Sequence, residues 1–422
     1  MKALYLAWKN MLSKPLRSGF SILLVALSVG LYSIIFLIEQ QLENHFSKNL
    51  AETDLVISAK GSPLQSVLCN IYHADVPTGN IHLSEVKAFF NPKHPVIQEA
   101  LPLSLGDQVH SYRIVGTTSG YLDWYKLTLA EGDSFQQDFD AVIGSEVALQ
   151  LGLKPGSSFE GGHGLNAEDS LESHPHRFIV KGVLMPTGQI SDRLVYCPIS
   201  TYWAIHDQGH HHDHEGENHD HEHHDEENRT VLSNDSLAGR DYDISALLLR
   251  FRGNNIQALN FGRMVNDNTN VMASYPAIEM NRLYELTGSA SDLLKWIGLM
   301  ISILAGISIF IHLWHSLQER KKETALMRLG GASKIFIFSA YLFEAVILGV
   351  FGVFLAWIFS HTFLELFSKT TLLKRSYQIT GWFFHMHELR IYLFAVLICM
   401  IAALIPSYLA MRSQIQEDLT EF

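Results

Sequence analysis

Between His206 and Asn228 the chain carries nine histidines: His206, His210, His211, His212, His214, His219, His221, His223 and His224. Nine carboxylates from Asp207 to Glu227 are interleaved with them, and no Lys or Arg falls in the segment. Imidazole nitrogen and carboxylate oxygen are donors that Zn²⁺, Ni²⁺ and Cu²⁺ accept at neutral pH. The neutral ring is the ligating form, so capture weakens as pH falls below about 6.5. Many overlapping ligand sets imply several weak, exchangeable sites, because ordering a loose segment around one ion costs conformational entropy. The competing reading is a solvated insertion without metal function. So dense a run of histidine favours contact with metal, zinc first. His163, His174 and His176 lie in a second Gly- and Ser-rich stretch that could join it. His312, His315, His385 and His387 are expected to be surface or packing histidines.

Other chemistry is missing. There is no G-x-x-x-x-G-K-[ST], so the chain brings no nucleotide-binding loop of its own, and no G-x-S-x-G, H-E-x-x-H or G-x-G-x-x-G occurs. No bound cofactor and no catalytic residue is expected. The three cysteines, Cys69, Cys197 and Cys399, form no C-x-x-C and are expected as free thiols. A net charge of −12 argues against nucleic acid, which attracts basic faces.

The elements that must carry the histidine segment follow from hydropathy. The chain has 422 residues, 47% of them hydrophobic, which suits a few membrane spans plus a large aqueous domain. Four runs are apolar enough to span: 20–38, 296–314, a stretch within 335–359, and 391–409. The first is followed by Glu39-Gln40-Gln41 and lacks a small-residue cleavage site, so it reads as an uncleaved anchor. Lys2, Lys9, Lys14 and Arg17 precede it, and Arg320, Lys321, Lys322, Arg328 and Lys334 lie between the second and third spans. Both groups belong on the cytoplasmic side, with both termini.

The expected fold is α+β: four transmembrane helices, one plus three, with a large mixed α/β extracytoplasmic domain between the first and second. The expected segments are 1–18 (amphipathic), 19–39 (span), 40–290 (external, with the loop 206–228), 293–316 (span), 317–334 (cytoplasmic loop), 335–366 (span), 367–390 (external hairpin), 391–411 (span) and 412–422 (tail). Strands are expected at 54–58, 110–115, 141–144, 177–184 and 244–251, and helices at 84–90, 145–151 and 255–267. Within the spans Glu344 stands out, and an intramembrane acid is by default a functional candidate.

Residues 319–333 read Glu-Arg-Lys-Lys-Glu-Thr-Ala-Leu-Met-Arg-Leu-Gly-Gly-Ala-Ser, and Glu344-Ala345 follow in the next span. This resembles the E-R-x-x-E-I-x-x-x-R-x-x-G-A-S segment and E-A span of MacB/FtsX-like ABC permeases. Val115-Gly116-Thr117, Val142-Ile143-Gly144-Ser145-Glu146, Phe178–Val183 and Val195–Ile199 follow in the order of that family's core domain. Pro406-Ser407-Tyr408-Leu409-Ala410-Met411-Arg412 is similar to its closing P-x-x-x-A-x-R. The resemblance implies a non-catalytic permease in the bacterial inner membrane, paired with a second copy or sister permease and with a dimer of separate ATPase subunits. It implies a coupling contact at Glu319, Arg320, Glu323, Arg328 and Gly330, the plain alternative being topogenic charge. Two departures stand out: MacB's ATPase is absent, and the histidine loop is not a general family feature. The functions left open are metal handling with an outer metal-binding or adaptor protein, export of lipoproteins or small molecules, and activation of an envelope enzyme.

Overall fold

The computed structural model describes residues 2–50, 52–163, 173–207, 242–253, 256–368 and 379–412. Eight of the nine histidines of the rich segment, His210 to His224, lie outside the described residues, as do residues 369–378 of the hairpin and the tail from residue 413. The chain divides into a helical unit (Met1–Asn44 and Thr287–Phe422) and an α/β unit (His45–Leu286).

In chain order the elements are α1 (Lys2–Ser13), α2 (Pro15–Leu50), β1 (Leu55–Ala59), α3 (Pro63–Asn70), β2 (Ile81–His82), α4 (Leu83–Val86), β3 (Ile97–Val109) and β4 (Tyr112–Thr117). There follow α5 (Gly120–Trp124), β5 (Leu129–Gly132), β6 (Asp140–Ile143), α6 (Ser145–Leu151), β7 (Ser158–His163), β8 (Ser173–Leu184), β9 (Leu194–Pro198) and α7 (Ile199–Asp207). Last come β10 (Asp243–Ile244), β11 (Ala246–Phe251), α8 (Ile256–Asn268), β12 (Val271–Ser274), α9 (Pro276–Glu319), α10 (Lys321–Leu329), α11 (Lys334–Ser368) and α12 (Met386–Arg412).

Ten strands of the α/β unit form one mixed sheet, ordered β12-β1-β11-β3-β4-β9-β6-β8-β5, with β7 bridging β3 and β8. The bridge closes β3, β4, β9, β6, β8 and β7 into a ring. The ring encloses Ile114, Ile143, Phe178, Val180 and Val195, all buried. β3 is shared. Its first half pairs with β11, from Ile97↔Phe251 to Leu103↔Ala246. Its second half pairs with β4 and β7, and the register shifts between Leu105 and Gln108. That irregularity lets one strand turn from the open sheet into the ring. On the open part, Leu55, Ile57, Leu247 and Leu249 pack against Phe261 and Val265 of α8. Val56 and Leu248, one residue out of phase, point to the other face with Val67 and Tyr121, as the period-2 pleat requires.

His73 sits at φ +49°, fully buried, and neither ring nitrogen has a hydrogen-bond partner among the described residues. Burial first, and the Arg113 guanidinium second, push its pKa from 6.5 down to about 3. The ring is therefore neutral in the fold but protonates near 6.5 when the chain unfolds. Its contribution to stability is complete above 6.5 and is lost as pH falls towards 3. At pH 5 this amounts to about 2 kcal/mol. The α/β unit of a His73→Asn variant, in which Asn tolerates the left-handed backbone, is expected to lose less stability between pH 7.5 and 5 than the parent in thermal melts of the full chain. Parallel pH profiles would count against the assignment.

In the helical unit, Pro15–Leu50, Asp292–Glu319, Lys334–Ser368 and Met386–Arg412 are long and apolar enough to cross a membrane. Small residues bring them close. A Cβ on Gly352 of α11 would overlap Val25 of α2, and one on Gly349 would come 3.1 Å from Cys399 of α12. Close backbone approach through small residues is the usual packing of helices in lipid. Ala3, Ala7 and Met11 form the buried stripe of α1, and Trp8 lies against Phe351 with ring centroids 5.7 Å apart.

Candidate functional site

Spans α9 and α11 are joined by the nine-residue helix α10. It buries Thr324 and Ala325 and exposes Glu323, Leu326 and Leu329, the two leucines each at 60%. Positions 323, 326 and 329 recur every three residues and so share one face. The helix ends in Gly330-Gly331. Gly331 takes φ +94°, a conformation that a side chain disfavours, whereas Gly330 has φ −74° and room for a Cβ. Ser333 then caps α11, its hydroxyl accepting from the Phe336 amide at 3.1 Å.

A polar cluster ties four helices together at this end. Glu319, the last residue of α9, pairs with Lys14 and with Arg17, the latter at 3.1 Å to both carboxylate oxygens. These groups are part-exposed, so the pairs contribute little to stability. Arg320 donates to the Asn10 carbonyl at 3.0 Å and to the Ser13 hydroxyl. Asn10 also donates to Glu344 at 3.4 Å, and Glu344 faces His312 Nε2 at 3.4 Å. Glu344 and His312 are buried, so this contact joins α9 to α11 inside the bundle, with α1 as third partner.

A second buried carboxylate lies at the opposite end. Glu388 of α12 accepts from Ser33 of α2 at 2.7 Å, from Tyr392, and from His361 Nε2 of α11 at 3.1 Å. His361 Nδ1 faces the Gly381 carbonyl, and the second Glu388 oxygen has no partner among the described residues. One carboxylate thus joins α2, α11 and α12.

His206 ends α7. Its Nε2 lies 3.3 Å from Oδ2 of the buried Asp107, and its ring lies on Tyr202 with centroids 4.2 Å apart. No three His, Cys, Asp or Glu side chains among the described residues are grouped to hold a metal ion.

The family model for the MacB-like periplasmic core domain matches residues 18–231, half of the chain, and that for the FtsX-like permease C-terminal matches 296–415. The chain belongs to the MacB/FtsX-like permease family of ABC transporters. The MacB-like match runs from within α2 to beyond α7, and the FtsX-like match holds the second half of α9 from Trp296, then α10, α11 and α12. The chain is similar to the periplasmic region of MacB from Actinobacillus actinomycetemcomitans (12% identity, 56% of this chain and 94% of that one, TM-score 0.32). It is similar also to the extracellular domain of the noncanonic ABC-type transporter YknZ from Gram-positive bacteria (14%, 52% and 98%, TM-score 0.29). No curated protein matches the chain.

In this MacB/FtsX-like permease the residues singled out from sequence separate into groups. Glu319 and Arg320 are engaged with α1 and the start of α2, Glu323 is exposed, and Arg328 is half-buried. Glu344 is buried against His312 and Asn10. Sequence reasoning missed Lys14, Arg17 and Asn10, whose role depends on the fold of α1 against the bundle. It also missed Glu388 and His361. The signal for these was a buried acid within two turns of a span end, obscured by assigning Glu388 to a hairpin.

Proposed function

We propose that this permease couples ATP hydrolysis on a separate ATPase dimer to its α/β unit, with α10 as the docking element. The supporting observation is the exposed face of α10, where Glu323, Leu326 and Leu329 stand out from a helix whose other side is buried. An apolar pair beside a charge suits a protein partner's pocket, whereas topogenic charge alone would need no leucines. The cluster of Glu319, Arg320, Lys14 and Arg17 behind α10 would carry its displacement into α1, α2 and α9. In this reading α10 and both termini are cytoplasmic, the membrane is the bacterial inner membrane, and a second permease copy or sister chain completes the complex.

The test is co-purification and ATPase assay of the chain with its cognate ATPase in nanodiscs. Leu326→Asp places an unpaired charge in the contact and is expected to weaken association more than tenfold, with the permease's own melting temperature unchanged because Leu326 is exposed. Unaltered association in that variant and in Glu323→Lys would remove α10 from the contact.

We propose further that the histidine segment beyond His206 binds zinc, so that the work done on the α/β unit concerns divalent metal. The composition of 206–228 supports this. So does the seating of His206, whose partner Asp107 would orient the ring in the manner of carboxylate–histidine pairs at metal sites. Calorimetric titration of Zn²⁺ into the full chain, with and without residues 208–228, is expected to show micromolar or tighter binding that depends on the segment. That binding should fade as pH drops below about 6.5. Equal heats with and without it would leave the segment a solvated insertion, and the cargo would then be sought among lipoproteins and exported small molecules.

A further inference from the structure

At the end of the helical unit remote from α10, helices α2, α9 and α12 enclose a cavity of about 580 Å³. Its floor is Val29 and Ala395, both buried. Its walls are hydrocarbon and aromatic: Tyr32, Trp296, Leu299, Ile391, Phe394 and Ile398. Trp296 and Phe394 remain 65% and 56% exposed at its sides, so the cavity opens sideways, where lipid surrounds a spanning helix. The mouth is charged. Lys295 is shared between Glu39 at 2.9 Å and Asp292 at 3.7 Å. Arg390 spends one contact on His387 Nδ1, at 3.3 Å, and a guanidinium has five N–H donors.

An apolar chamber with charge only at its mouth selects an amphiphile. The volume lies in the range of small-molecule sites, about 300–1,000 Å³, and roughly one turn of helix would fill it, which disfavours a partner's span as occupant. Lys295 is already balanced by Glu39 and Asp292, so the cation left to complement an anionic phosphate is Arg390, whose planar fork can hold two phosphate oxygens at once. We propose that this cavity holds an acyl chain of a membrane phospholipid, with the lipid phosphate on Arg390. A bound lipid there would fill the space between α9 and α12 and set their separation.

The test uses the full chain in nanodiscs of phosphatidylethanolamine and phosphatidylglycerol, with a trace of phosphatidylglycerol carrying a photoactivatable group near the end of one acyl chain. After irradiation the adducts are mapped by peptide mass spectrometry. Adducts are expected to concentrate on the peptides holding Leu299 and on those holding Phe394 and Ile398. Arg390→Ala is expected to reduce them about fivefold, the effect of one basic contact with a lipid headgroup. Leu299→Trp, which grows into open space and leaves the bundle intact, is expected to displace the chain and abolish them. Adducts spread evenly over Leu304, Phe354 and Leu404, which are also exposed, would overturn the proposal. So would adducts indifferent to both substitutions, or chain-to-chain products showing that a second copy occupies the cavity.

Discussion

Glu388→Ala is expected to destabilise the helical unit by about 3–5 kcal/mol. The substitution does not remove a single contact. It leaves the Ser33 hydroxyl, the Tyr392 hydroxyl and the His361 ring facing an empty site in the interior of the bundle, and each was turned toward one carboxylate oxygen. An unmet polar group in that setting loses far more than its hydrogen bond was worth, since no water replaces the partner. The Ser33 and Tyr392 hydroxyls keep each other at 3.2 Å, but the His361 ring loses its acceptor, and α2, α11 and α12 lose the carboxylate that joins them. Melting in nanodiscs should fall by about 10 °C or more. Glu388→Gln keeps an acceptor of the same shape and should lose clearly less. If the alanine variant melted within about 2 °C of the parent, Glu388 would not hold the three helices. The comparison with Ser33→Ala, which removes one donor and leaves the others paired, separates the carboxylate's role from that of its partners.

Gly144→Ala should destabilise the α/β unit by about 3 kcal/mol or more. The backbone there is ordinary, with φ −65° and ψ 157°, so no conformational argument protects the glycine. The constraint is steric. A Cβ would overlap the backbone carbonyls of Ser191 and Asp192, and that turn cannot retreat. The Asp192 carboxylate holds the amides of Thr187 and Gly188 at 2.9 and 2.8 Å, while the Gly144 amide itself donates to Leu194 at 2.9 Å. Room could be made only by parting β6 from β9, which pair from Val142↔Tyr196 to Ile143↔Val195. Denaturant unfolding of the full chain, followed by a signal from the α/β unit, should show the midpoint fall steeply. Gly152→Ala is the contrast: it sits at φ +66° with open space around it, and its loss should be limited to the backbone term of about 1 kcal/mol.

These two positions show which parts of the structure were legible in the sequence. The spans and the insertion between the first and second follow from hydropathy, because crossing lipid imposes length and composition at once. The helix over 145–151 is present as the glycines and apolar spacing predict. The strand expected at 110–115 begins instead at Tyr112, since His110 turns the chain at φ +55°. Long-range closeness was not legible. Nothing in the spacing of Gly144 and Asp192 announces that their backbones touch, and Glu388 and His361 are 27 residues apart on two helices. At the candidate site the sequence marked Glu319, Arg320 and Glu344. The α1 residues that meet them depend on how an amphipathic helix lies on the bundle, which no local pattern encodes. The sequence also drew attention to Gly330, while the left-handed turn falls on Gly331.

The sheet order carries one more consequence. β1 opens the α/β unit and β12 is its last strand, and the two are paired directly, from Val56↔Ser274 to Ala59↔Val271. The polypeptide therefore enters and leaves this unit through adjacent strands, about one strand spacing apart. A unit of this kind behaves as a cassette. It can be excised, exchanged for that of a relative or grafted onto another parent through a single narrow seam, with the rest of its chain folding between fixed ends. A permease assembled this way can exchange the cassette while its spanning helices stay as they are.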